Sequence, residues 1–168
     1  MNKGLVRRML NRLLGMAARF APGATSLRPL LHRLRGVGIV GRVFIGDDVY
    51  LENEFPECIE LHDGAQISVR SILIAHTRGI GKIVIGRDAF IGPNCVITAA
   101  PGATLRIGDG SVIAASSVVS GDVPPHTLVS GPKAGPVARS TVALGMTTRY
   151  EDFLGGLRPL KSTRPGSR

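Results

Sequence analysis

Between residues 85 and 119 an aliphatic side chain returns at every sixth position in two runs. One unbroken run is Ile85, Ile91 and Ile97, and the next is Ile107, Ile113 and Val119. Several of these are followed by glycine, as are Ile45-Gly46, Ile91-Gly92 and Ile107-Gly108. The fifth position of each hexad is small or β-branched: Val49, Ala89, Cys95, Ser111 and Ser117. Neither the period of a helix nor the alternation of a flat strand generates that spacing. It fits an all-β solenoid whose coils are each made of three short strands, every strand sending one aliphatic inward before turning on Gly, Asp or Asn. Stacked coils then enclose a continuous aliphatic column. Such an interior is narrow, which agrees with an aromatic content of only 4% in 168 residues. A chain of this length is read as one domain with a real core.

Three stretches depart from the repeat. The register slips between Leu51 and Ile67, through "ENEFPECIELHDGA", and by four residues between Ile97 and Ile107, through "TAAPGATLR". The third is "SILIAHTRGIGKIVIG", residues 71–86, where Gly79 takes the hexad position between Leu73 and Ile85. Insertions in a solenoid loop outward and commonly build its binding surface.

Charge is unevenly placed. The net charge is +9, yet residues 1–46 hold nine Lys/Arg and no Asp or Glu, so the rest of the chain is balanced. That balance, with no interleaved basic and aromatic pattern in the body, argues against a nucleic-acid-binding face there. Within the arm, "GLVRRMLNRLLGMAARF" at 4–20 predicts an amphipathic helix, with Arg7, Arg8, Arg12 and Arg19 opposite its apolar stripe. A second helix is expected from Ser26 as N-cap to Gly36 as C-cap, with Pro29 near its first turn. The pair either packs on the end of the domain or on another subunit, or residues 1–20 lie on an anionic membrane surface. No stretch is long enough to span a bilayer, and Arg12 and Arg19 interrupt any signal-peptide core. An acid-free, Arg-rich start also shares features with organellar transit peptides. After residue 140 the repeat is over. "TTRYEDFLGG" predicts a short helix with Thr148 and Glu151 as a capping box and Gly155 as its stop, followed by a disordered tail, "RPLKSTRPGSR". The expected organisation is a helical arm at 1–35, a solenoid domain at 36–139 and a C-terminal segment at 140–168. Cys58 and Cys95 form no disulfide or metal framework, which favours a reducing, cytoplasmic setting, with the inner membrane face as the place for any peripheral attachment.

The [LIV]-G-x4 hexads over residues 36–139, with the exit "SVIAASSVVSGDVPPHTLVSG", resemble the hexapeptide-repeat acyltransferases. The likeness is nearest to small enzymes that O-acetylate sugars and surface polysaccharides. That resemblance implies a left-handed parallel β-helix, a homotrimer with active sites at the subunit seams, and acetyl-CoA as co-substrate. It also implies that a histidine after a short aliphatic strand is the general base, and "ILIAH" places His76 there. The chemistry calls for such a group, because an alcohol must lose its proton as it attacks a thioester, and imidazole titrates near neutral pH.

A base needs an orienting partner for its other ring nitrogen. Asn53, Glu54 and Glu57 of the first irregular stretch, with Glu52 beside them and Arg78 of the third, are the candidates for orienting His76 or binding acceptor hydroxyls. Among these Glu54 is favoured. The resemblance puts the pantetheine arm along Ala114, Ala115 and Ser116, where the family more often has I-G-A-G, and the CoA phosphates near Lys133 and Arg139. The other histidines read differently: His32 as a helix-face residue, and His62 and His126 as turn residues. Cys95 and Ser117 occupy inward hexad positions and are read as structural, so no covalent acyl-enzyme is expected.

Three alternatives stand beside a sugar O-acetyltransferase. One is N-acylation of an amino sugar or another small acceptor. Another is a non-catalytic scaffold, since fold does not dictate function. The third, a γ-class carbonic anhydrase on the same β-helix, needs two zinc-ligating histidines close together, and His62, His76 and His126 provide no such pair. No metal is expected.

Overall fold

The computed structural model describes residues 4–131, 138–143 and 145–159. Four coils follow one another. The first holds β1 (Gly38–Ile39), β2 (Phe44–Ile45) and β3 (Tyr50–Leu51), and the second β4 (Ile59–Leu61), β5 (Gln66–Ile67) and β6 (Ile72–Ile74). The third holds β7 (Lys82–Ile85), β8 (Phe90–Ile91) and β9 (Val96–Thr98). The fourth holds β10 (Thr104–Ile107), β11 (Val112–Ile113) and β12 (Val118–Val119), and β13 (Leu128–Val129) begins a fifth. Corresponding strands stack in parallel as three sheets, ordered β1-β4-β7-β10, β2-β5-β8-β11-β13 and β3-β6-β9-β12. The expected β-solenoid is the fold.

Register accounts for the six-residue period. Ile45, Ile67, Ile91, Ile113 and Val129 are paired in one column, and Leu51, Leu73, Ile97 and Val119 in another. The small fifth positions Val49, Ala89, Cys95, Ser111 and Ser117 are buried beside them. Strands of the first sheet depart from one inward aliphatic each: β4, β7 and β10 bury Ile59 with Leu61, Ile83 with Ile85, and Leu105 with Ile107. Glycine follows the inward aliphatic because the next coil is too close for a side chain. A Cβ on Gly92 would lie 2.7 Å from both the Ala115 nitrogen and the Ile113 oxygen. The corner between the second and third sheets is a stack of left-handed residues, Asp48, Arg70, Asn94 and Ser116, with φ of 54°, 58°, 55° and 59°.

Helices α1 (Leu5–Phe20) and α2 (Leu27–Arg35) cap the open end of the first coil. Ser26 and Gly36 flank α2 as expected, with Gly36 at φ 110°. An uncapped solenoid would expose the free backbone groups of its first strands. Here Ile45 N–H donates to the Ala24 carbonyl at 2.8 Å and Asp48 N–H to the Arg19 carbonyl at 2.9 Å. Two buried arginines satisfy the carbonyls. Arg28 donates to Ile45 O at 3.1 Å and pairs with Asp47, while Arg35 donates to Leu51 O at 2.6 Å and Glu52 O at 2.8 Å. Part of the arm's positive charge is therefore an internal cap. The face α1 turns inward is not its apolar stripe but Asn11, Gly15 and Ala18. None of the described helices is long and apolar enough to cross a membrane.

The solenoid with its helical cap forms one compact unit ending at Gly131, and a second unit begins at Pro132. In the second, β14 (Ala138–Ser140) pairs antiparallel with β15 (Leu157–Pro159), and α3 (Tyr150–Gly155) lies between them in sequence. Two expectations are corrected here. Thr148 does not form a capping box: its hydroxyl accepts the Gly145 N–H at 3.1 Å, and Arg149 stands at the helix N-cap without a side-chain bond. The C-terminal tail does not begin as coil, because Arg158 and Pro159 belong to β15 and gain ladder partners in β14. Residues 160–168 lie outside the described residues.

Candidate functional site

Each of the first three coils is longer than three bare hexads, and the excess is placed at one corner. The pairing steps run from Ile45 to Ile67, on to Ile91 and then to Ile113. The added residues fall between the third and first sheets, at 52–58, 75–81 and 99–103. The three irregular stretches are thus one stacked ridge. Gly81 N–H donates back to Ala75 O at 2.7 Å, and Gly102 N–H reaches Ile80 O at 2.9 Å, tying the second loop to the third.

His76 follows β6 within this ridge. It is half-buried, and a β-bridge to Ile80 closes its loop. The ring of Phe55, from the first loop, meets the imidazole edge-on, with centroids 4.9 Å apart and planes at 67°. Such an edge-to-face contact packs the two rings and restricts their rotation. Glu54 is adjacent in the same loop. Its carboxylate pairs with Arg8 of α1 at 3.0 Å, and its N–H donates to Glu52 Oε1 at 2.9 Å. The Arg8 bond is the main reason the Glu54 carboxyl lies below the usual range, and the nearby His76 charge acts in the same direction.

The loop carrying these groups is anchored from below. Asn53 Oδ1 accepts from Arg35 Nη1 at 3.0 Å, and Arg35 Nε donates to His32 Nδ1 at 3.0 Å. Glu52 and Arg35 are buried, with 3% and 1% exposure. Burial draws the Arg35 guanidinium down to about 10, against the opposing pull of Tyr50 and Glu52. Burial, then the Arg35 charge, draws His32 down to about 3. Asn53 and Glu54 are thus both engaged with the helical cap, Asn53 through Arg35 and Glu54 through Arg8. Glu57 and Arg78 are exposed on the same ridge.

Two clefts flank the corner. One, of about 440 Å³, has a floor of Tyr50, Ile72 and Ile74 from the outer face of β3 and β6, and a rim of Arg19, Asp48 and Arg70. Ile74 lies two residues before His76, so this apolar floor leads toward it. The other, of about 200 Å³, is lined by Arg8, Arg12, Leu5, Met9 and Glu54. Phe55, Arg8 and, apart from Glu54, the cleft residues were not anticipated as site components. Phe55 had one available signal, being one of only five phenylalanines and lying within an irregular stretch.

Ala114, Ala115 and Ser116 lie between β11 and β12. Ala114 N–H donates to Val129 O at 2.8 Å and Ser116 N–H to Pro93 O at 2.9 Å. Arg139 is exposed on β14 of the second unit, and Lys133 lies outside the described residues. Cys95 is buried, its thiol donates to Ala114 O at 3.1 Å, and burial pushes that thiol up, away from the nucleophilic thiolate. Ser117 is buried and accepts the Gly131 N–H at 3.2 Å. His62 pairs with Glu60 at 2.8 Å, and His126 sits in a left-handed turn at φ 54°. Among the described residues no three His, Cys, Asp or Glu side chains converge as a metal-binding set.

No family model matches the sequence. YvoF of Bacillus subtilis, whose name assigns it provisionally as an acetyltransferase, is 37% identical over 82 residues, 46% of this chain and 45% of its own length. The bifunctional protein GlmU of Synechococcus elongatus is 30% identical over 133 residues, 78% of this chain but 25% of its own. The chain therefore spans less than half the length of these curated relatives. A crystal structure titled as the hexapeptide-repeat-containing acetyltransferase VCA0836 from Vibrio cholerae matches with a TM-score of 0.53 and 25% identity, over 75% of this chain and 86% of that one. Coil register and these likenesses together give the chain the β-solenoid fold of the hexapeptide-repeat acetyltransferase family.

Proposed function

We propose that this protein is an acetyl-CoA-dependent acetyltransferase acting on a hydroxyl of a sugar or surface-polysaccharide precursor, with His76 as general base. The observation that carries this reading is the position of His76: directly after β6, within the ridge of stacked insertions, against Phe55 and near Glu54. In the proposed step the acceptor oxygen attacks the thioester carbonyl carbon while His76 takes the hydroxyl proton. The C–S bond then breaks, and the departing CoA sulfur receives that proton from the imidazolium. Backbone N–H groups would stabilise the oxyanion, and binding both substrates together supplies the proximity. Ala114, Ala115 and Ser116 are assigned to the pantetheine arm, and Lys133 and Arg139 to the CoA phosphates. The assembly is read as a homotrimer, in which Glu57 and Arg78 of the exposed ridge are placed to meet an acceptor.

His76→Ala tests the assignment. Turnover of acetyl-CoA with a panel of sugar acceptors is expected to fall by about 10²–10⁴-fold, with acetyl-CoA affinity and melting temperature unchanged. An active His76→Ala protein would refute the assignment. Absence of acetyl-CoA binding by the unaltered protein would favour the scaffold alternative.

A further inference from the structure

We infer that the α1–α2 hairpin is a docking face for an anionic lipid surface. A helix that serves only to pack turns its apolar stripe toward the core. Helix α1 does the reverse. It rests on the solenoid through Asn11, Gly15 and Ala18, while Leu5, Val6, Met9, Leu13, Met16 and Phe20 are exposed, Val6 at 80% and Phe20 at 75%. Helix α2 continues the pattern, turning Arg28, His32 and Arg35 inward and leaving Leu30 and Leu34 exposed. Both apolar arcs lie opposite the buried side of their helices, so they point away from the body. Exposed apolar residues gathered on one face, unlike singly scattered ones, mark an interaction surface.

Charge selects the partner. Arg7, Arg12 and Arg33 are exposed on the two helices, and no acidic residue occurs before Asp47. A second copy of the hairpin would bring two acid-free, cationic surfaces together. Anionic headgroups instead neutralise the arginines while the acyl boundary accepts the leucines, methionines and Phe20. Arg19 pairs with Asp48 at 2.8 Å and Arg8 with Glu54 at 3.0 Å, so the hairpin is fastened to the body with its apolar side outward. The same Arg8 bond ties it to the ridge bearing His76. If the proposed chemistry at His76 holds, docking would present that ridge to a membrane-borne acceptor. The docking itself rests on no part of that reading.

The experiment is flotation of the full-length protein with vesicles of phosphatidylglycerol and phosphatidylcholine, against vesicles of phosphatidylcholine alone. Binding is expected to the anionic vesicles, to fall steeply with added salt, and to drop by about tenfold or more in a Leu13→Glu/Met16→Glu variant. Both substituted residues are exposed, so the variant's melting temperature should match that of the unaltered protein. Failure to float with anionic vesicles would overturn the inference, as would flotation unaffected by the double substitution. A change of oligomeric size in the variant, without any vesicle binding by the unaltered protein, would assign the face to a second copy instead. Absence of acetyl transfer by the unaltered protein, with its vesicle binding intact, would count against the proposed chemistry alone.

Discussion

Replacing Arg35 with methionine tests whether the helical cap is held by buried polar bonds rather than by the apolar stripe of α1. The guanidinium makes four bonds: to His32 Nδ1 at 3.0 Å, Glu52 O at 2.8 Å, Asn53 Oδ1 at 3.0 Å and Leu51 O at 2.6 Å. Hydrogen bonds involving a charged group contribute about 1.5–3 kcal/mol each, so the four amount to roughly 6–12 kcal/mol. Two costs offset them. A folded pKa of about 10, against an ordinary 12.5, corresponds to ~3 kcal/mol for holding the charge in a site 1% exposed. Ordering the long side chain costs about 2 kcal/mol more. Methionine removes both costs and fills much of the volume, but it leaves Leu51 O, Glu52 O and Asn53 Oδ1 without this donor. The difference, roughly 1–7 kcal/mol, brackets the roughly 3–5 kcal/mol typical of removing one partner of a buried charged network, and a net loss of about 4 kcal/mol is expected. Urea denaturation should show a lower midpoint with unchanged slope, and the melting temperature should fall by about 8–16 °C. Arg33→Met is the control: Arg33 also donates to a carbonyl, Gly41 O at 2.6 Å, but is exposed, so its loss should stay within about 0.5 kcal/mol. A loss below about 1 kcal/mol for Arg35→Met would show that the buried network does not hold the cap.

His32 gives a pH signature of the same network. Folding holds its pKa at about 3, so below an unfolded value of about 6.5 the unfolded chain binds a proton that the folded chain refuses. Stability is therefore fully present above that pH and is lost as pH falls toward 3. About 2 kcal/mol should disappear between pH 7 and pH 5, and His32→Gln should flatten that slope. Cys95→Ala should keep full turnover while losing about 1–2 kcal/mol of stability, because it deletes a buried thiol that donates to Ala114 O. A stable but inactive Cys95→Ala protein would point to a covalent route.

The solenoid was legible in the sequence because its determinants are local. Each rung needs one inward aliphatic, one small neighbour and a turn. Ile85, Ile91 and Ile97 or Ile107, Ile113 and Val119 therefore report the cross-section directly. The helices and the bounds of α2 at Ser26 and Gly36 were legible for the same reason, although the Ser26 side chain makes no capping bond. The capping box was not: Thr148 carries the right residue type, but the Gly145 N–H competes for its hydroxyl. His76 stood out from its place after an aliphatic run. What surrounds it depends on how coils stack. Three insertions far apart in the chain become one ridge only because all fall at the corner between the third and first sheets. Phe55 can meet His76 only through that stacking. Charge along the arm was likewise plain, but not its division into buried arginines that cap strand carbonyls and exposed ones that face solvent. An amphipathic pattern establishes that a helix has two unlike faces. Which face is covered depends on the free backbone groups of the first coil: Arg28 and Arg35 turn inward to satisfy them, and the apolar stripe of α1 is left outside.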